Sequence, residues 1–365
     1  MLALTVTEVS PKYEYDSSIM SLPPIEIPLG AIRFNSDSSK LEYWNGSAWF
    51  QIRTFTPNLN GGGRALLAGG VHANVYKNII DYVTISTQAT AVDFGDLSYL
   101  QYAARSFSSS TRGLWYGGYP GGTSVNTIEF VTISSEGNAA DFGDATSRNN
   151  SGAGLSNATR GLAATGFYGP ARVNTIDMVT IASTGNAEDF GDTFSARTNC
   201  SGCGSPTRGI VAGGNPGNPS PANNSNTIEF ITISTLGNGQ DFGDLLRVRA
   251  DGPFGGSNST RAFLAGGVFP SPETQIYTMD KIEIATLGNA VDFGDLKNNS
   301  QHGNSTASSV RFVSMGGAAP GSPYSVPETQ YANFATGGTA LSLGDLTQAR
   351  WSGDAACSNA HGGLG

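Results

Sequence analysis

Asp-Phe-Gly-Asp occurs five times, at residues 93–96, 141–144, 189–192, 241–244 and 292–295. Two carboxylates around a glycine are groups that can hold a divalent cation. Asp-Phe-Gly also binds magnesium in one class of phosphoryl-transfer enzyme. Five copies with no glycine-rich phosphate loop, strand lysine or His-Arg-Asp exclude that chemistry here. Calcium remains open, but it needs several oxygens converging from a loop, and spacing alone does not supply them. In the structural reading, Phe anchors an outer strand, Gly permits a turn, and Asp144, Asp192 and Asp244 bond nearby amides. Cys200 and Cys203 form a C-x-x-C with no second pair beside it, so neither zinc nor dithiol chemistry follows. His72, His302 and His361 are the only histidines, and none adjoins a nucleophile motif. No catalytic residue, metal or cofactor is expected.

These residues recur because the chain repeats. A phrase close to Asn-Thr-Ile-Glu-Phe-Val-Thr-Ile precedes each Asp-Phe-Gly-Asp, and a worn sixth copy occupies 331–335 with 342–345. Ahead of each stands an Arg-led apolar segment, beginning at Arg64, Arg112, Arg160, Arg208, Arg261 and Arg311, at spacings of 48, 48, 48, 53 and 50 residues. A period of about 50 with strand-like units is that of kelch-type propeller blades. Within one unit, 151–156 reads as a crowded inner strand, 160–165 as a second, and 174–181 as an alternating third. A short outer strand follows the turn at Gly185-Asn186. The first unit lacks an inner strand, and 349–360 matches one, so the tail is expected to complete the first unit and close the ring. The fold class is all-β: a six-bladed kelch-like β-propeller over 61–365, closed by a C-terminal strand. Cys203 and Cys357 then occupy equivalent inner-strand positions. The kelch pattern is met by the double glycine after the second strand and by Arg148, Arg197 and Arg350 at inner strands. It is broken in the fourth strand, where Phe replaces Trp. A copper-radical oxidase on such a ring would need a Tyr–Cys pair and two histidine ligands, which are not recognisable here.

Composition limits the partners. Gly is 49 of 365 residues, about twice the ~7% average. Charged residues are only 13%, against about 25% on average. A net charge of −9 disfavours nucleic acid, which needs a basic stripe, and anionic membrane. No 18-residue apolar run or basic, apolar leader is present, so neither membrane insertion nor classical secretion is expected.

Residues 1–60 lie outside the period. Alternation at Ile32 and Phe34, then Leu41 and Tyr43, with Asn45-Gly46 as a turn, predicts a β-hairpin or small meander. Trp44, Trp49 and Phe50 on so few residues require a partner, an oligomer or the larger unit to cover them.

The segment Gly-Ala-Ile-Arg-Phe-Asn-Ser-Asp…Lys-Leu-Glu-Tyr-Trp-Asn-Gly-Ser-Ala-Trp resembles a module of tail-fibre and other appendage proteins of tailed bacteriophages. The repeats resemble propeller proteins carried by phages of cyanobacteria. The resemblance implies a virion component, often trimeric, with 1–60 as the virion-attachment or oligomerisation module.

The connections between second and third strands vary in length and carry Tyr119, Tyr168, Phe269, Tyr277 and Tyr324. They share a face with the fourth-to-first connections, and stiff aromatic loops on a rigid ring suit sugar binding. The leading arginines, Arg112, Arg160 and Arg208 among them, are expected to pair with an aspartate of Asp-Phe-Gly-Asp. The expectation is a non-enzymatic tail fibre or related appendage in the virion, binding other virion proteins through 1–60 and a host surface glycan or envelope receptor through the loops. The alternatives are a decoration or scaffold protein whose ring binds another virion protein, and a glycan-cleaving enzyme with two carboxylates roughly 5–10 Å apart.

Overall fold

The computed structural model describes residues 27–36, 40–51, 63–169, 171–217, 225–270, 273–298, 301–319, 325–352 and 355–364. The chain divides into two compact units, Met1–Pro57 and Asn58–Gly365. It is all-β, built of small antiparallel sheets. Among the described residues the only helical element is a 3-10 turn at Gly362–Leu364, and no helix is long and apolar enough to cross a membrane.

In the first unit, Ile32–Asn35, Lys40–Trp44 and Trp49–Gln51 form one three-stranded sheet. The Asn45 carboxamide accepts from the amides of Ser47 and Ala48 and so shapes the turn the sequence announced. Period-2 alternation separates the faces. On one face Arg33 bonds Glu42 at 2.9 Å and lies over Trp49, which packs on Trp44. The opposite face carries Ile32, Phe34, Leu41, Tyr43 and Phe50, all exposed.

Among the described residues the second unit contains six four-stranded sheets in the strand order expected from the repeat, and a two-stranded ribbon of Val268–Pro270 and Glu273–Gln275. From inner to outer strand they are Ala356–Ser358, Arg64–His72, Val75–Thr84 and Val92–Gln101; Arg105–Ser108, Arg112–Tyr116, Thr127–Thr132 and Ala140–Asp144; Ala153–Ser156, Arg160–Tyr168, Ala171–Thr180 and Glu188–Asp192. The remaining three are Ser201–Gly204, Arg208–Ala212, Thr227–Thr232 and Gln240–Asp244; Pro253–Ser257, Arg261–Gly266, Thr278–Glu283 and Val291–Asp295; Asn304–Ala307, Arg311–Met315, Glu328–Asn333 and Leu341–Asp345. The tail strand does return to the first sheet: Ala356, Cys357 and Ser358 pair with Leu67, Leu66 and Ala65.

Neighbouring sheets bury their faces on each other. Leu155, Leu162, Ile176 and Phe190 of the third sheet pack with Val211, Ile231 and Ile233 of the fourth. Each such side chain, fully buried, contributes roughly 1.5–3 kcal/mol. Three sets of polar bonds join each sheet to the next and the sixth to the first. In the first set, Nη1 of Arg64, Arg112, Arg160, Arg208, Arg261 and Arg311 donates to the carbonyls of Ile133, Ile181, Ile233, Ile284, Phe334 and Ile85 at 2.8–3.0 Å. This corrects the expected pairing with Asp-Phe-Gly-Asp: the arginine reaches past that motif to a main-chain oxygen on the neighbouring sheet. In Arg64, Arg112, Arg208 and Arg311 the guanidinium also lies over an aromatic ring of its own sheet, as Arg112 does over Phe130 at 4.8 Å.

In the second set, the motif itself is held through its main chain. The Asp144 amide donates to the Asn186 side chain, and the Asp144 carbonyl accepts from Ala187. The same pattern recurs at Asp192 with Asn238 and at Asp244 with Asn289. Gly143 has φ +149°, and a Cβ there would stand 2.3 Å from the Gly185 carbonyl oxygen, so glycine is required where the next sheet's turn seats.

The third set is buried. Asp81, Glu129, Asp177, Glu229, Asp280 and Gln330 sit at one position of the third strands. Each accepts from the connection entering its sheet, at Thr347, Ser98, Thr146, Phe194, Leu246 and Lys297. Three of them also meet a fully buried arginine: Asp81 with Arg350 at 2.9 Å, Asp280 with Arg249 at 2.6 Å, and Glu229 with Arg197.

Three connections expected between second and third strands carry strand pairing. In one, Val268–Pro270 pairs with Glu273–Gln275. In another, Arg64–His72 and Val75–Thr84 run on to a two-residue turn at Ala73 and Asn74, both at positive φ. Arg160–Tyr168 and Ala171–Thr180 extend in the same way.

Candidate functional site

Two cavities lie within the cycle of sheets, one lined by the inner strands and one by the connections that feed them. The second is the chemically richer. Its volume is about 210 Å³, and residues from all six fourth-to-first connections line it: Tyr102 and Ala103, Ser151, Asn199, Asp251, His302, and Trp351 with Ser352.

A collar of main chain shapes this mouth. The amides of Ala103, Ser151 and Asn199 donate to the carbonyls of Ser352, Ala103 and Ser151, and the His302 amide donates to Gly252. Ala103, Ser151, Asn199 and His302 all have φ between 49° and 58°. Non-glycine residues held there are strained, and such strain persists where the surroundings fix it, often at ligand sites.

The two sides of the mouth differ. On one, Tyr102 stacks on Tyr76 at 5.3 Å and meets Tyr119 and Trp351 edge-on at 5.6 and 5.4 Å. Burial, then the neighbouring Tyr76 and Tyr119, raises the Tyr102 hydroxyl above its ordinary range, so it stays a neutral donor. On the other side, Asn199 donates to Asp251, and His302 Nε2 stands 3.4 Å from the second Asp251 oxygen. The His302 ring also packs on Trp351 at 5.2 Å. Burial works to raise the Asp251 carboxyl, but the His302 contact and the Asn199 amide outweigh it and leave it below its usual value. The Asp251 carboxylate is therefore ionised at neutral pH. Beside it, the Ser352 hydroxyl is buried without a hydrogen-bond partner.

The other cavity, about 40 Å³, is lined by inner-strand residues such as Ser108, Ser156, Ser257 and Ser305 together with His361. His361 precedes the Gly362–Leu364 turn. Its Nδ1 accepts from the Gly363 amide, so Nε2 carries the proton and donates to the Ser108 carbonyl at 2.9 Å. Burial pushes this imidazole down to about 4. The unfolded chain, near 6.5, takes up a proton that the folded chain refuses, so stability is full above pH ~6.5 and falls as pH drops toward 4. The ring keeps some exposure, which reduces the effect to about 1–3 kcal/mol. Denaturant titrations at pH 7 and pH 4.5 should show wild type losing that much more than His361→Gln; equal losses would refute it.

Of the five loop aromatics expected to bind, Tyr119 joins the mouth cluster, through the bridge between Tyr119 and Tyr102. Tyr168, at the end of the strand Arg160–Tyr168, Phe269, in the strand Val268–Pro270, and Tyr277, just before Thr278–Glu283, are exposed and do not line the mouth cavity. Tyr324 lies outside the described residues. Sequence reasoning missed Tyr76, Tyr102, Asn199, Asp251, Trp351 and Ser352. Cys203 and Cys357 are buried in inner strands, and burial pushes the Cys357 thiol up to about 12, which makes it unreactive. No group of three or more His, Cys, Asp or Glu able to hold a metal ion occurs among the described residues.

A scan against family models and a search of curated proteins found no match to this chain.

Proposed function

We propose that this chain is a non-enzymatic virion appendage protein of a tailed bacteriophage. Its six sheets act as the blades of a kelch-like β-propeller whose mouth face binds a glycan on the host surface. The observation that carries the reading is the two-sided mouth. An aromatic wall of Tyr76, Tyr102, Tyr119 and Trp351 faces a polar arc of Asn199, Asp251 and His302. Sugars present apolar C–H faces and hydroxyl edges, and they bind where rings and hydrogen-bonding groups converge.

The resemblance of the segment within residues 1–60 to phage appendage modules supports attachment to other virion proteins, or trimerisation, through that part of the chain. The exposed apolar face of Ile32, Phe34, Leu41, Tyr43 and Phe50 favours a contact there. The same face supports the second reading, a decoration protein whose partners are all within the particle.

Binding of the full-length protein to intact cyanobacterial cells, before and after their surface polysaccharide is stripped, separates the two. Saturable binding lost on stripping is expected. Absence of binding by demonstrably folded protein would move the assignment to decoration.

A further inference from the structure

The chemistry of the mouth narrows what enters it, on the basis of the glycan-binding reading above. We infer that the pocket receives a single uncharged, hydroxyl-rich pyranose unit, and that Asp251 is the residue that orients it and excludes acidic sugars.

Size comes first. The space of about 210 Å³ is ringed by all six connections rather than running out along a groove, which suits one sugar ring rather than an extended chain lying across the face. Trp351 and Tyr102 both line this space and meet edge-on, which puts aromatic surface on its wall.

Asp251 comes next. One of its oxygens takes the Asn199 amide and the other faces His302, so the carboxylate is held in one orientation. Each oxygen keeps a second lone pair, and two acceptors at that spacing match adjacent ring hydroxyls. Ser352, buried at the same pocket with its hydroxyl unpartnered, is a further group for a ligand oxygen to engage.

Charge decides the class. His302 is the basic side chain among the lining residues, and it already faces Asp251. Arg105 lies beneath Gly152, but its guanidinium donates to the Thr165 carbonyl and sits by Tyr116, whose hydroxyl is bonded to Asp177. Arg350, behind Gly70, is paired with Asp81. Among the described lining residues, a carboxylated or sulfated sugar would therefore meet the Asp251 carboxylate with no lysine or arginine to offset it.

The test titrates full-length protein with neutral hexopyranose oligosaccharides and with uronic-acid or sulfated counterparts, alongside the cell-binding assay. Neutral sugars should bind and acidic ones should not. Asp251→Asn should weaken neutral binding roughly tenfold to a hundredfold, the loss of one charge-assisted hydrogen bond. Trp351→Ala should weaken it comparably, and Ser352→Ala less. Melting curves confirm that each variant is folded.

Acidic sugars binding as well as neutral ones would overturn the inference, as would unchanged affinity in folded Asp251→Asn and Trp351→Ala. If those variants still bind cells in a polysaccharide-dependent way, the receptor reading survives and the mouth assignment falls. If wild type shows no such cell binding, the receptor reading itself has failed.

Discussion

A chain ending at Asp345 should not fold cooperatively. Residues 346–365 supply the inner strand of the first sheet, and the loss extends beyond that pairing. Ala355, Ala356 and Cys357 belong to the core shared by the first sheet and its neighbours. The Ala355 carbonyl accepts the Trp115 indole N–H, the Ala355 amide donates to Asn304, and the Ala356 carbonyl accepts from Ser106. Truncation leaves these groups unmet and Asp81 buried without Arg350 or Thr347. The bare aspartate alone costs about 3–5 kcal/mol, and each orphaned polar group adds about 1–3, against a typical total stability of about 5–15 kcal/mol. Calorimetry and dye binding should show a broad or absent transition with exposed apolar surface. A sharp transition within a few degrees of the full-length protein would mean that the tail strand does not close the cycle.

Breaking the same closure at one residue gives the second large effect. Arg350→Ala should destabilise by about 3–5 kcal/mol, because it leaves the fully buried Asp81 carboxyl without its cationic partner, bonded to Thr347. The double replacement Asp81→Leu with Arg350→Met should recover most of that loss, since the penalty belongs to the abandoned charge rather than to the missing bond. Denaturant midpoints of both variants test this. A double variant no better than Arg350→Ala would show that the pair also sets the geometry of the connection into Trp351.

The unit of four strands was legible because its parts differ in kind: a small-residue inner strand, an apolar second, an alternating third and a glycine-punctuated fourth. The return of the tail was legible for the same reason, since 349–360 could match only an inner strand. Other features were not. The stitch from Arg160 ends on the carbonyl of Ile233, and main-chain acceptors leave no trace in side-chain identity. The ion pair of Arg249 and Asp280 was in view as an acid in the middle of an apolar strand and an arginine at a fixed place before the next. It was hidden because strict alternation assigns such an acid to a solvent face, whereas here both faces of the third strand are covered by neighbouring sheets. The mouth was the hardest to read. It takes one or two residues from each connection, some 50 positions apart, and Tyr102, Asn199, Asp251, His302 and Trp351 share no residue type. At that end the repeats are free to differ, because strand packing no longer dictates the side chain.

That contrast, uniform between the sheets and varied at one end, supports the proposal that the mouth is the binding site. Hydrogen exchange of the full-length protein with and without saturating host polysaccharide tests this most directly. Protection is predicted at 101–104, 149–152, 197–200, 250–253, 301–303 and 350–352, the connections that surround Asp251 and Trp351. Protection confined to 27–51 or to the outer strands, or none under conditions where the polysaccharide is bound, would contradict the account.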